Sequence, residues 1–147
     1  MLTDAQNRVI RAYKEVDAIS RMQPRIQYIY GGGHNAQFIN DPGYDCSGFI
    51  SHVLHVAGIL AIPHATFPFN TQAFESWGGA GEGQWLTVWD IDLSAPRVPQ
   101  HHCFLEFHIA NEHNYPNTFA QAAHEGLPVG WMGSDIRGFN PRHWPGS

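Results

Sequence analysis

The sequence predicts an α+β domain with helices packed on one face of an antiparallel sheet, and three observations carry that prediction. Apolar residues recur at helical spacing in the first half and fall in short alternating runs in the second, while 15 glycines and 10 prolines supply turns between them. At 147 residues the chain suits a single domain, because one core of that size already buries about two thirds of the surface its unfolded chain exposes. Within residues 1–147 we expect an N-terminal helix over 1–22, a core over 23–131 and a closing tail over 132–147.

The elements follow in order. From Thr3 to about Ser20 the positions Val9, Ile10, Ala12, Tyr13, Val16 and Ile19 form one helical stripe, with Thr3 or Asp4 available as N-cap. Pro24 stops the helix, and Ile26 to Tyr30 is short and β-prone before Gly31-Gly32-Gly33 opens a turn. No Gly-Lys-Ser/Thr follows the triplet, so it lacks the pattern of a nucleotide loop. After a loop from His34 to Gly43, Cys46 to Ile59 reads as a helix whose stripe is Phe49, Ile50, Val53, Leu54 and Val56-Ala57, with Gly58 near its end. Pro63 and Pro68 bracket a loop, Thr71 to Trp77 suits a short helix, and Gly78 to Gly83 a turn. Strands are expected at Gln84–Trp89, Cys103–Ile109 and Thr118–Ala122, with a turn-rich stretch at Asn111–Asn117 and an irregular tail from Gly138 to Ser147.

Charge narrows the partners. Lys14 is the one lysine among eight basic residues, thirteen acids oppose them, and the formal charge is -5. Such a surface offers no basic stripe for a phosphate backbone, so nucleic acid is not an expected partner. No segment near Met1 combines a basic run, an apolar run and a small-residue cleavage site, and no stretch approaches the roughly 20 apolar residues of a span. We therefore expect no signal peptide in this chain, no membrane insertion and a monomer. Two cysteines do not make a disulfide framework, and Cys46 and Cys103 are expected as free thiols with different roles.

Cys46 stands at or just before a helix N-terminus, in Tyr44-Asp45-Cys46-Ser47-Gly48. Only the thiolate is a strong nucleophile, and unpaired amides at a helix start both stabilise that anion and can donate to the oxyanion of an attacked carbonyl. Asp45 and Ser47 are short polar residues suited to capping and fixing this turn. A purely structural cysteine would sit more naturally on the stripe that begins at Phe49.

A thiolate also needs a base, and the base an orienting group. The run His101-His102-Cys103-Phe104-Leu105-Glu106-Phe107 begins a strand with two candidates. Alternation puts His102 on the face of Phe104 and Glu106, leaving His101 and Cys103 on the other. Metal chemistry is the rival use of ten histidines: His52 and His55 lie three apart and His101 and His102 are adjacent. There is no His-Glu-x-x-His run and no cluster of cysteine pairs, so helix-surface histidines are expected and no metal or other cofactor.

The segments Tyr28-Ile29-Tyr30-Gly31-Gly32 and Tyr44-Asp45-Cys46-Ser47-Gly48-Phe49-Ile50, with a helix ending near Ala57-Gly58-Ile59, resemble the catalytic half of the NlpC/P60 family. His102-Cys103-Phe104-Leu105-Glu106-Phe107 is similar to the strand that family opens with its catalytic histidine. Thr71-Gln72 and Gln84–Trp89 fall where such proteins place a loop and the first sheet strand. The resemblance covers roughly Gln23 to Trp131. It implies a papain-like fold and a thiol peptidase without cofactor, acting on the peptide stems of peptidoglycan, often between D-glutamate and a diamino acid.

The same resemblance implies Cys46 as nucleophile, His102 as base and, on the strand after it, a polar residue that orients the imidazole. Phe119-Ala120-Gln121-Ala122 aligns there and makes Gln121 that residue, with His124 the alternative; the family more often has histidine at this position. Tyr28 corresponds to a tyrosine near the nucleophile that helps position the scissile carbonyl, alongside Asp45 and Ser47 at the oxyanion end. The setting implied is a phage endolysin, a wall hydrolase exported by dedicated machinery, or a domain of a secreted protein. Two other readings keep the fold: an amidase or acyltransferase on a non-wall substrate, and a catalytically silent wall-binding module.

Overall fold

Helix α1 (Asp4–Ser20) opens on a reciprocal cap in a computed structural model that describes residues 2–34, 43–60, 70–93, 100–109 and 115–146. The Gln6 amide donates to Thr3 Oγ1 at 3.1 Å, and the Thr3 amide donates to Gln6 Oε1 at 2.8 Å, so two otherwise orphaned N–H groups are paired. All six residues of the expected stripe are buried: Val9, Ile10, Ala12, Tyr13, Val16 and Ile19. Burial of a Val or Ile is worth about 1.5–3 kcal/mol, so packing of this stripe outweighs helix propensity in holding α1.

Two short strands follow, β1 (Gln27–Tyr28) and β2 (Gly43–Tyr44), paired in parallel. Helix α2 (Cys46–Val56) starts immediately after β2, and every residue from Cys46 to Leu54 is buried. It is therefore the central helix of the domain, not one with a wet face. The expectation that His52 and His55 are both helix-surface residues is corrected accordingly. His52 is buried, its Nε2 lies 2.8 Å from Glu15 Oε1 of α1, and its ring stacks on Tyr44, whereas His55 is exposed. The stripe alone could not reveal that α1 packs over the flank of α2.

Helix α3 (Thr71–Phe74) is a single turn capped by Asn70, shorter than the expected Thr71–Trp77. The main sheet then assembles from β3 (Gly79–Ala80), β4 (Leu86–Leu93), β5 (Gln100–Phe107), β6 (Phe119–Gln121), β7 (Gly130–Trp131) and β8 (Asn140–His143). Its order is β3-β8-β4-β5-β6-β7, and every neighbouring pair is antiparallel. The fold class is thus α+β.

Leu86 and Val88 of β4, Cys103, Leu105 and Phe107 of β5, and Ala120 of β6 share the core with α1, α2 and Phe74. Helices cover that one face. On the other, Phe104 meets Phe119 and Phe139 at centroid distances of 5.9 and 4.8 Å, and Trp89 Nε1 donates to Glu106 at 3.0 Å.

Two expectations are revised. The tail does not stay irregular: Asn140–His143 inserts as β8 between β3 and β4, so the core over 23–131 is incomplete without residues beyond 131. Pro141 hid this strand because proline has no N–H for a ladder. Here it sits opposite Trp89, and its carbonyl accepts from the Gly81 amide at 3.0 Å. Strand β4 also runs on through Asp90 and Asp92 to Leu93, rather than ending at Trp89. Aspartate is depleted from strands, so local preference stopped the reading too early. The loop bracketed by Pro63 and Pro68 and most of Asn111–Asn117 lie outside the described residues.

Candidate active site

The turn before α2 is built from hydrogen bonds that its own residues supply. Asp45 is the N-cap: its Oδ1 accepts from the Gly48 amide at 2.8 Å, while its carbonyl accepts from the Phe49 amide at 3.0 Å. Those bonds leave the Cys46 and Ser47 amides at the open end of the first turn. His34 Nε2 lies 2.6 Å from Asp45 Oδ1 and 3.0 Å from Ser47 Oγ, so the imidazole braces both residues flanking Cys46. The side chains of Asp45 and Ser47 thus shape the turn itself.

The glycine triplet has a structural purpose here. A Cβ on Gly48 would stand 2.1 Å from the Gly32 carbonyl oxygen, and one on Gly33, whose φ is +83°, would stand 2.9 Å from Gly48 Cα. Two backbones meet without side chains between them, and the Asp45 amide donates to the Gly32 carbonyl at 3.0 Å. The loop that carries His34 is locked by this contact against the turn that carries Cys46.

Cys46 and Cys103 are both buried free thiols, and they meet. The Cys103 thiol bonded to Cys46 is the largest influence lowering the Cys46 pKa, which falls to about 5 although burial opposes it. The hydrogen bond and charge of His102 act in the same direction, while the charge of Asp45 acts against it. Cys103 responds in the opposite sense: burial first, then the bond to Cys46, push its pKa far up, so it stays a thiol and donates.

Burial disfavours the imidazolium of His102, but its bond to Cys46, the thiolate charge and Gln121 together raise its pKa above the ordinary value. Both shifts favour the pair in its thiolate–imidazolium form.

Gln121 settles the orientation of that imidazole. Its Nε2 donates to the Gly133 carbonyl at 2.9 Å, and since a carbonyl can only accept, its Oε1 must face His102. His102 Nε2 lies 2.8 Å from Oε1 and so bears a hydrogen, leaving Nδ1 for Cys46. Strand register makes this possible, because β5 pairs with β6 through Leu105–Ala120 and Glu106–Phe119 and so brings Gln121 beside Phe104 on the His102 face.

Of the residues singled out by sequence, Cys46 and His102 lie within electrostatic reach of each other, and His102 Nε2 in turn lies 2.8 Å from Gln121 Oε1. Tyr28 lies close enough that, after burial, the charges of Cys46 and Asp45 push its phenol up to about 12, leaving it a neutral donor. The alternatives sit elsewhere. His101 is bonded to Asp92, and His124 Nδ1 lies 2.8 Å from the Glu125 carbonyl oxygen.

Sequence reasoning missed His34, Cys103 as a partner of Cys46, and Asp90. The Gly-Gly-Gly-His run carried a signal for the first, since a polar residue straight after a close-approach glycine is held where the backbone puts it. The other two depend on cross-strand register and had no local signal.

One group among the described residues could hold a metal ion: ligand atoms of Glu82, Glu106 and His108 lie within 4.8 Å of one another. It stands at the far end of β5 from His102, and its members already bond Thr87 and Trp89. No described helix is long and apolar enough to cross a membrane. No protein-family model, curated protein or solved structure matches this chain.

Proposed function

We propose that the chain is a papain-like cysteine peptidase of the NlpC/P60 type that hydrolyses peptide bonds in peptidoglycan stems, with the D-glutamyl–diamino acid bond as its target. The observation carrying the chemistry is Cys46 at the first residue of a capped helix, beside a His102 that helps lower its pKa and that Gln121 holds at 2.8 Å. The substrate rests on the similarity of the Asp45-Cys46-Ser47-Gly48 turn and the His102 strand to that family. A phage endolysin or wall hydrolase is the setting this reading favours.

The Cys46 thiolate attacks the scissile carbonyl carbon, and the electron pair of the C=O bond moves onto oxygen. The Cys46 and Ser47 amides face the region where that oxyanion develops, aided by the positive end of α2. Since His102 already holds the proton, its first act is to donate it to the departing amine as the C–N bond breaks. The neutral imidazole then takes a proton from water, which attacks the thioester and restores the thiolate–imidazolium pair. Gln121 holds the ring in place through both protonation states without adding charge, and no cofactor takes part.

Digestion of defined muropeptides by the parent chain and Cys46→Ala, read by mass spectrometry, tests this proposal. The expected products are two peptide fragments from the parent and none from the variant. Equal digestion by both would overturn it, and transfer or deamidation without cleavage would point to the acyltransferase or amidase reading.

A further inference from the structure

Asp90 is a buried anomaly that the reaction above does not use. The residue is 0% exposed, and neither carboxylate oxygen has a hydrogen-bond partner among the described residues. An ionised carboxylate in that position would forfeit its hydration for nothing, a cost that proteins avoid by keeping the group neutral.

Its place in the sheet is specific. Asp90 of β4 stands directly opposite Cys103 of β5, and Ile91 opposite His102, so its side chain shares the helix-facing side with the thiol that donates to Cys46. The carboxyl lies behind the reactive pair, one side chain removed from the thiolate.

The groups around it explain why no cation neutralises it. On its own strand Asp92 is bonded by Thr71 at 2.9 Å and by His101, so those two donors are spent. Glu75, just after α3, adds a like charge, and Cys46 from α2 adds another. From β5 the cation is His102, already bonded to Cys46 and Gln121. From β8, Asn140 is the register partner, while Arg142 donates to the carbonyls of Trp77 and Gly78 at 2.7 and 3.0 Å.

We propose that Asp90 is a positioning residue held as a neutral carboxylic acid behind Cys46 and His102, which spares the thiolate a further negative charge at its back. The inference rests on reading Cys46 as the nucleophile. Burial, followed by the charges of Asp92, Glu75 and Cys46 and opposed by His102, raises the Asp90 pKa to about 8. Above that pH a further negative charge appears behind the thiolate. It repels anionic reactants and disfavours the compact state. A folded-state pKa above the ordinary 3.8 means that stability from this proton is complete below the ordinary value and lost as pH rises through about 8.

The test uses two alkylating reagents of the same mechanism and different charge, iodoacetate and iodoacetamide, with modification of Cys46 followed by peptide mass. Both read the thiolate, so their rate ratio reports only the local charge. In the parent chain the iodoacetate-to-iodoacetamide ratio should fall several-fold further between about pH 6 and pH 9 than in Asp90→Asn, where the loss of the His102 proton alone lowers it. A parallel fall in the variant would overturn the proposal. Thermal unfolding gives a second readout that needs no reactive cysteine: Asp90→Asn should gain in Tm over the parent progressively as pH rises from about 5 to 9. A Tm difference that does not change with pH, or a variant that no longer folds, would also overturn it. Failure of Cys46 to react selectively with either reagent would instead count against the proposed nucleophile, leaving the Tm comparison to decide on Asp90.

Discussion

Gln121 holds His102 by an acceptor only 2.8 Å from the ring nitrogen, and its amide is itself oriented by a 2.9 Å bond to the Gly133 carbonyl. The imidazole is thus fixed in ring angle and tautomer by a neutral group that does not compete with Cys46 for charge. Removing that acceptor should leave the nucleophile intact while loosening the acid. Gln121→Ala is expected to lower kcat by about ten- to a hundredfold with little change in KM, the pattern of an interaction that matters in the transition state. Steady-state kinetics on a stem-peptide substrate would check this, and a change in KM alone would refute it.

Cys103 should tune its neighbour. Without the thiol donor, Cys103→Ala is expected to titrate Cys46 at higher pH than the parent's midpoint of about 5, and Cys103→Ser, which keeps a donor, should stay near the parent. The rate of iodoacetamide labelling against pH measures the midpoint. The Cys46 pKa is depressed on folding, so its contribution to stability is complete above the ordinary value of 9.0 and vanishes as pH falls through about 5. Coincident labelling curves for the parent and Cys103→Ala would show that the contact has no electrostatic effect.

The nucleophile turn should be intolerant of small changes. Gly48→Ala would force a Cβ to 2.1 Å from the Gly32 oxygen, so the two backbones must part. A loss of about 2 kcal/mol or more is expected in chemical denaturation. Asp45→Ala removes the cap at Gly48 and should cost about 1 kcal/mol. His34→Ala keeps that cap but frees the turn, so activity should fall further than stability does. A His34→Ala chain with full activity would remove His34 from the site.

Helix α1 is tied to α2 by Glu15 and the buried His52, 2.8 Å apart. The bond to His52, partly opposed by burial and assisted by the His52 charge, lowers the Glu15 pKa. A carboxylate with a depressed folded-state pKa stabilises above its ordinary value of 4.5, and that contribution is lost as pH falls below it. Glu15→Gln should therefore unfold more easily near neutral pH, by about 1.5 kcal/mol for a partly shielded bond to a charged group, and the gap to the parent should close toward pH 4. Urea denaturation at the two pH values would check the sign.

How much of this could be read from the chain alone depended on the range of the interactions involved. The α1 stripe, the start of α2, the Asp45 cap and the short strand at Phe119–Gln121 follow from spacing and from side chains that bond their own backbone, and sequence order is enough to find them. The preference for His102 over His101 rested partly on period-two alternation along one strand, which is also local, and partly on the family resemblance.

The remaining features were decided between distant segments. Pro141 and the two aspartates of β4 have poor strand preference, and ladder partners overrode it: Asn140 for Asp90 and Trp89 for Pro141, some 50 residues away, and His101 of the next strand for Asp92. Glycines 32 and 33 read as a loose turn until Gly48 was set against them. Cys46 was legible as a candidate nucleophile because a helix start is a local electrostatic device. Its depressed pKa, by contrast, comes from a thiol and an imidazole on another strand, and the neutral acid behind them exists only because the sheet places Asp90 opposite Cys103. Burial and register are properties of the assembled chain, and they set which of the ten histidines and two cysteines share a proton.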